Sequence, residues 1–580
     1  MMPVTAILYD ESDAVDYLKK KPVVDIIRSL TPNASAQLVN LSGAVPQSTL
    51  VLSDCQQAKV IARVKKIEEK LLSSLNDQSQ LNVAVKCTLQ SIVHVLAGIA
   101  SITWEIAKNP ETCLIRRNGN WTTITSRSEL QQYLVTRFDS NIVKLFRITE
   151  RPAFSKLLQW ISLKQLKKEK FNKLLLFTDF SYGSEHIWNT IKEQTDDYHS
   201  AVLVKTKSGF AGFIKSLVHL YKNVNSNNRP FGLLAIPSKN NSYNLADGII
   251  STIDDPVVKP ILQKYLKDLN QTCCFLASLH ENMLECLKVL KPSAIISNQV
   301  RWHRSAVLAE IAEILNIENH LLSHGSHTIP DSRIAEVEQI ENANGLLFTP
   351  FSTINYFQSP QSALFAENNN TNGCHCKPVM WGYKSIGKSR PAEEERIILH
   401  AGTYKTLSLP RPWVYETSNE FVEGLKSLIY ATASLENVKL VIRIRTGPEC
   451  SIKSLQKLLP KLDHYHLKTD GTFLDDLSHA QLLVSFSSTT IEEALNAKKP
   501  VLLWGGTRRY FHLPAKKSIP TKNDRAAVYA PESENDLGKM IDAILDSHSD
   551  SPLTENELSD YVWPASVPGI ELLFSNLGIN

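Results

Sequence analysis

Between residues 396 and 546 the chain alternates strand-like and helix-like patterns with little between them. RIILHAG (396–402) is an apolar run that stops on Gly402. EFVEGLKSLIYATA (420–433) carries its apolar residues at helical spacing, and VKLVIRIR (438–445) is β-branched. FLDDLSHA (473–480) reads as a short helix and QLLVSF (481–486) as a strand. SSTTIEEALNA (487–497) opens on hydroxyl residues and continues as a helix, and KKPVLLWGG (498–506) is a strand closing on two glycines. RAAVYA (525–530) and LGKMIDAILD (537–546) supply a last strand and a last helix. Such alternation predicts a parallel, doubly wound sheet.

A second alternation precedes it. KLLLFTDF (173–180), SAVLVKT (200–206), RPFGLLAIP (229–237), SAIISN (293–298) and ENHLLSHG (318–325) read as strands. Residues 261–290 and 307–316 between them read as helices. The predicted fold class is therefore α/β, with two Rossmann-type units at 171–390 and 391–546, and a polar link at about 365–393. Residues 1–170 are expected to form a small α/β extension, with strands at 5–11 and 48–54 and a helix at 58–75. Residues 547–580 are expected to pack back across the domains.

A length of 580 residues fits three or four such units. The formal net charge of +4 is too small to mark a nucleic-acid binder, so no nucleic-acid partner is expected. The nine cysteines lack the dense regular spacing of a disulfide scaffold and are read as reduced thiols. Cys374-His375-Cys376 has no second ligand pair at suitable spacing, so no metal site is assigned to it. No basic-then-apolar leader opens the chain. The apolar stretch from Ser91 to Trp104 falls short of the roughly 20 residues that span a bilayer. A cytoplasmic protein is the expectation.

The chemistry concentrates at the strand ends of the second alternating unit. In VSFSSTTIEEAL (484–495), Ser487, Ser488, Thr489 and Thr490 fall where a strand gives way to a helix. Hydroxyls can cap such a helix, and its free N–H groups favour an anion, with phosphate the obvious candidate. Glu492 and Glu493 follow, where a carboxylate can meet ribose hydroxyls; a well-capped helix with acids suited to its dipole is the other reading. Ligands of open parallel sheets bind beyond the carboxyl ends of the strands. Gly402-Thr403, Arg443, Arg445, Ser487-Ser488 and Gly505-Gly506 all lie at such ends. Arginine forks suit phosphate oxygens. Neither GxGxxG nor GxxxxGK[ST] occurs, which argues against NAD enzymes and P-loop NTPases.

DDLSHAQLLVSFSSTTIEEALNAKKPVLLWG resembles the donor-binding half of GT-B glycosyltransferases. The likeness is to the bacterial surface-polysaccharide group that includes capsule-type and CDP-glycerol-type transferases, and it extends over about residues 290–546 through SAIISN…HLLSHGSHTIP. The resemblance implies two facing Rossmann-type domains. It implies that Ser487, Ser488 and Thr489 hold the donor phosphates and that Glu492 or Glu493 meets the nucleotide. Related enzymes carry a His-Pro pair where this chain has Arg445-Thr446-Gly447-Pro448, so Arg443 or Arg445 is expected to replace the histidine's phosphate contact.

On the acceptor side, His324 follows a strand end and is the candidate general base, with Asp179 its rival. Asn298, Arg301, His303 and His327 are expected to line the same cleft. No Asp-x-Asp metal motif stands in a suitable place, so a metal-independent, inverting mechanism is expected, with no cofactor beyond a CMP- or UDP-sugar as co-substrate. FSKLLQWISLKQLKKEKFNK (154–173) reads either as a surface helix or as one lying on an anionic membrane, the latter suiting a lipid-linked acceptor on the cytoplasmic face. The expected activity is transfer of a sugar from a nucleotide sugar to a glycan or glycolipid acceptor in capsule or lipopolysaccharide synthesis. A UDP-sugar epimerase of the same fold and a polyol-phosphate transferase are the alternatives.

Overall fold

The computed structural model describes residues 4–39, 52–79, 81–107, 112–137, 173–178, 182–195, 197–204, 231–234, 246–301, 303–323, 328–330, 333–379, 396–405, 414–505, 510–549 and 551–579, with isolated positions between them. They form three sheets.

The N-terminal sheet contains β1 (Val4–Leu8), β2 (Ile26–Ser29), β3 (Thr112–Arg117) and β4 (Asn120–Ile124) in the order β2-β1-β3-β4. β1 pairs parallel with β2 and β3, and β3–β4 is an antiparallel hairpin. Asn118 and Gly119 turn that hairpin with φ of 49° and 82°. Asn-Gly tolerates two successive positive φ values, as a two-residue hairpin requires. The strand expected at 48–54 is not found in its described part. Ser53 instead caps the helix Asp54–Asn76, in a reciprocal capping box with Gln56.

The second sheet has seven strands: β5 (Lys173–Phe177), β6 (Tyr198–Val204), β7 (Phe231–Leu234), β8 (Ala294–Ser297), β9 (Glu318–Leu322), β10 (Ile354–Phe357) and β11 (Cys374–His375). Their order is β11-β10-β9-β8-β5-β6-β7, every pair parallel. The third sheet has β12 (Arg396–Gly402), β13 (Val438–Ile444), β14 (Tyr465–Lys468), β15 (Leu482–Ser485), β16 (Val501–Leu503) and β17 (Val528–Tyr529). Its order is β14-β13-β12-β15-β16-β17, again all parallel. Counted within each sheet, both follow the doubly wound order 3-2-1-4-5-6, the second with one strand added. The α/β class is thus carried by the sheets themselves, as two Rossmann-type units. The start of the expected polar link is ordered, since the helix Pro360–Asn368 and β11 finish the second sheet.

Period-two burial places the third sheet between two cores. Ile398, Leu440, Ile442, Leu482 and Val484 meet the helices Ser418–Ala433 and Leu537–Ser547 on one face. Leu399, Val441 and Leu483 meet Ile491, Leu495 and Leu513 on the other. Burying each such side chain contributes about 1.5–3 kcal/mol.

The helix Val83–Ile106 is long and apolar enough to cross a membrane, but 78% of its most apolar window is buried inside the protein. It packs against the helices Asp54–Asn76, Leu266–Leu290 and His303–Ile314, so it is apolar all round because it is surrounded. The Glu310 carboxylate, from the last of these, accepts hydrogen bonds from Val83 N and Ala84 N and satisfies its N-terminus. The described helices Asp54–Asn76 and Val83–Ile106 therefore share one continuous core with the second unit. The N-terminal unit also docks on the third: Tyr9 Oη donates to Glu449 at 2.7 Å, and Asn33 bonds Pro448, Ser451 and Ser454. The helix Ile570–Leu577 buries Leu573 and Phe574 in the second unit against Leu175 and Phe177.

Candidate nucleotide site

In a doubly wound sheet, the connections leave to opposite faces on either side of the first strand and open a crevice there. In the third sheet this point lies between β12 and β15. A narrow crevice is found there. His400, Gly402, Thr403 and Lys405 line it from β12 and beyond, with Phe486 and Ser487 after β15 and Trp504 and Gly505 after β16. Glu416 and residues Phe421, Gly424 and Leu425, at the start of the helix Ser418–Ala433, complete it. Thr417 caps that helix in a reciprocal box with Glu420. Its first N–H groups are thereby partly occupied.

Lys405 Nζ donates to the carbonyl of Ser487 at 2.6 Å, which brings an ammonium group to the switch point. Trp504 Nε1 donates to the Gly424 carbonyl at 2.8 Å, and Ser485 Oγ to Ala401 O at 2.7 Å. The two glycines at the strand ends have a local packing cause. A Cβ on Gly402 would stand 2.9 Å from His400 Cε1, and one on Gly505 would stand 2.5 Å from Phe486 Cδ2. Both positions are glycine because an aromatic ring folds over them. Burial pushes the His400 imidazole down to about 4, so the ring is neutral at pH 7.

Gly402, Thr403 and Ser487 are brought together at the crevice. Ser488 and Thr489 are half-buried beside it. The hydroxyl cap is looser than expected. Thr489, the N-cap, makes no side-chain cap bond, while Ser488 Oγ accepts from Thr490 N at 3.3 Å. The helix it opens, Thr490–Asn496, has only seven residues. Glu493 is pushed up to about 7, first by burial and then by the neighbouring Glu492 carboxylate.

Three expectations need correction. Glu492 is buried and lies 3.3 Å from His512 Nε2, so its carboxylate serves an internal contact rather than an open ribose subsite. Arg443 is committed elsewhere: its guanidinium pairs with Asp476 and donates to Asp470 O at 2.8 Å and Gly471 O at 2.6 Å. Strand alternation puts Arg443 on the same sheet face as Val441, where the helix Phe473–His479 packs and supplies Asp476, while Arg445 stands exposed beyond the strand end. Arg301 is buried in an ion pair with Glu341, and His303 N donates to Thr88 Oγ1 at 3.0 Å. Instead of lining a cleft, the Arg301 pair is internal to the second unit, and it is the His303 backbone, with Glu341 3.4 Å from His94 Nε2, that ties this unit to the N-terminal helices. Asn298 is half-buried just past β8. His324, His327 and Asp179 lie outside the described residues.

Crevice residues missed by the sequence reading include His400, Lys405, Glu416 and Trp504, and behind the crevice wall Tyr510 and His512 were missed as well. Lys405 carried a signal, being a cation three residues past the glycine that ends the first strand. His512 carried none, because only the chain path brings it to Glu492.

No family profile and no curated protein matches the sequence. Among solved structures, the chain is similar to the UDP-GlcNAc 2-epimerase from Neisseria meningitidis bound to UDP-GlcNAc, at 12% identity and a TM-score of 0.39. The match covers 70% of this chain and 100% of that one. It is similar to the spinosyn rhamnosyltransferase SpnG at 12% identity and a TM-score of 0.37, over 70% of this chain and 100% of that one. At these values the likeness is only a general one of chain path, and the two sheet orders carry the fold assignment.

Proposed function

We propose that this chain is a glycosyltransferase that takes a sugar from a nucleotide sugar, with CMP- or UDP-sugar as donor, and passes it to a glycan or lipid-linked acceptor. The observation that carries the reading is the switch-point crevice, where Lys405 and the Ser487–Thr489 segment meet. An ammonium group and hydroxyls at that point suit the oxygens of a diphosphate or monophosphate leaving group. A base, His324 or Asp179, takes the proton of an acceptor hydroxyl. That oxygen attacks the anomeric carbon as the bond to the donor phosphate breaks, with inversion and without a metal. The acceptor reading also gives residues 154–173 a role at the cytoplasmic face of a membrane, in surface polysaccharide synthesis. Trp160 there is 56% exposed and Lys164 Nζ lies 4.7 Å from its ring centroid, an aromatic–basic pairing suited to anionic headgroups.

The test is a thermal-shift screen with CMP, UDP, GDP and TDP, since a ligand of the native state raises Tm. The nucleotide that stabilises the protein then identifies the sugar donors to assay with and without acceptors. Ser488→Ala is expected to weaken that binding, and unchanged affinity and turnover would count against the site. Turnover of a UDP-sugar without an acceptor would indicate an epimerase instead. Phosphorus in the polymeric product would indicate a polyol-phosphate transferase.

A further inference from the structure

The helix Arg333–Ala343 of the second unit touches the other two. Toward the third unit, Gln339 Nε2 donates to Tyr510 Oη at 3.3 Å. Tyr510 Oη lies 3.0 Å from His512 Nδ1, and His512 Nε2 lies 3.3 Å from Glu492 Oε1. Thr328 Oγ1 donates to the backbone carbonyl of His512 at 3.0 Å. Glu492, His512, Tyr510, Gln339 and Thr328 are all buried. Toward the N-terminal helices, Glu341 pairs with Arg301 and lies 3.4 Å from His94 Nε2, while His94 Nδ1 is held by Glu68. Glu68, His94 and Glu341 lie close enough to suggest a metal. Both ring nitrogens of His94 face carboxylates, however, and Arg301 already neutralises Glu341, so this is an ion-pair junction.

The chain of contacts begins at the crevice wall. Phe486 lines the crevice and meets the Tyr510 ring edge-on, with centroids 5.8 Å apart. Glu492 sits one turn beyond Ser488 and Thr489. A shift of either element on ligand binding moves a buried polar group whose partner lies in the second unit. Such a group cannot lose its partner without being left unsatisfied, so the partner must follow.

We propose that Tyr510 and His512 are positioning residues that transmit occupancy of the crevice to Thr328 and the helix Arg333–Ala343. The coupling thus carries the state of the crevice in the third unit to Thr328 and Gln339 of the second. This rests on the reading of the crevice as a nucleotide site.

The test is amide hydrogen exchange of the full-length protein, with and without whichever of CMP, UDP, GDP and TDP raises its Tm. In the wild type, peptides spanning 484–495 and 328–343 are both expected to gain protection. Tyr510→Phe keeps the ring against Phe486 and removes the oxygen shared by Gln339 and His512. Gln339→Leu breaks the same link from the other unit. In both variants the nucleotide is expected to bind within about threefold of the wild-type affinity. The gain at 484–495 should persist, while the gain at 328–343 falls to about half or less. A purely structural role would change exchange in the free protein and leave the nucleotide-induced difference intact. An undiminished gain at 328–343 in the variants, or none there in the wild type, overturns the coupling and leaves the nucleotide site standing. Failure of every nucleotide to bind or to protect 484–495 overturns the nucleotide reading, and the coupling with it.

Discussion

Arg443 is held against Asp476, and the same carboxylate takes Lys468 Nζ through its other oxygen at 2.6 Å. One acid on the helix Phe473–His479 thus neutralises two cations from neighbouring strands. Asp476→Asn leaves both cations short of a partner in a largely buried place and is expected to cost about 2–4 kcal/mol. Arg443→Met leaves Asp476 still paired with Lys468 and is expected to cost about 1–2 kcal/mol. Urea unfolding of the two variants checks the order. A loss of nucleotide binding in Arg443→Met at full stability would return Arg443 to the donor site.

Glu493 gives stability a distinctive pH dependence. Its folded value of about 7 lies above the usual carboxylate range, so between about 4.5 and 7 the folded state binds the extra proton. Stability then falls as pH rises through that window, by about 3 kcal/mol at most. Glu493→Gln is expected to remove this decline and raise Tm at pH 8 while changing it little at pH 4.5. Melting curves at the two pH values settle it.

His400 and His548 act in the opposite sense. Burial pushes both down to about 4, below the ordinary histidine value of 6.5. The unfolded chain takes up their protons first, so stability falls as pH drops from about 6.5 toward 4. His400→Phe is expected to flatten this acid limb, and acid titration followed by near-UV circular dichroism measures it.

Gly505 stands under the Phe486 ring. Gly505→Ala is expected to destabilise the protein by about 1–3 kcal/mol through overpacking. Adding Phe486→Leu, which vacates the space, should recover part of that loss. A double-mutant cycle by chemical unfolding should give a coupling well above the roughly 0.5 kcal/mol scatter of independent sites.

Asn33 fastens the N-terminal unit to the third. Its Oδ1 accepts from Ser451 N at 2.9 Å and Ser454 Oγ at 2.7 Å, and its Nδ2 donates to Pro448 O at 2.9 Å. Asn33→Ala is expected to cost about 1–2 kcal/mol. It should also speed protease cleavage between the units, read as the rate at which the first fragment appears.

Most strands of the two Rossmann-type units were legible because each is a short apolar run, but β10 and β11 were not read from the sequence. β14 was missed: Tyr465–Lys468 is half-polar and sits at the sheet edge, where only one neighbour covers it. The hairpin of β3 and β4 was missed although Asn118-Gly119 announced it.

At the site, Gly402, Thr403 and Ser487 could be placed because strand ends are marked in the sequence and the doubly wound order brings them to one crevice. Arg443, Arg301 and Glu492 could not, because each was read as a free charge at a strand or helix end. Their partners Asp476, Glu341 and His512 lie 33, 40 and 20 residues away. Periodicity of hydrophobic residues is a local property, and it determined the two α/β units and their ligand-facing ends. Pairing of charges is a property of the folded chain, and it decided which side chains remain at the crevice and which are paired away inside their own unit.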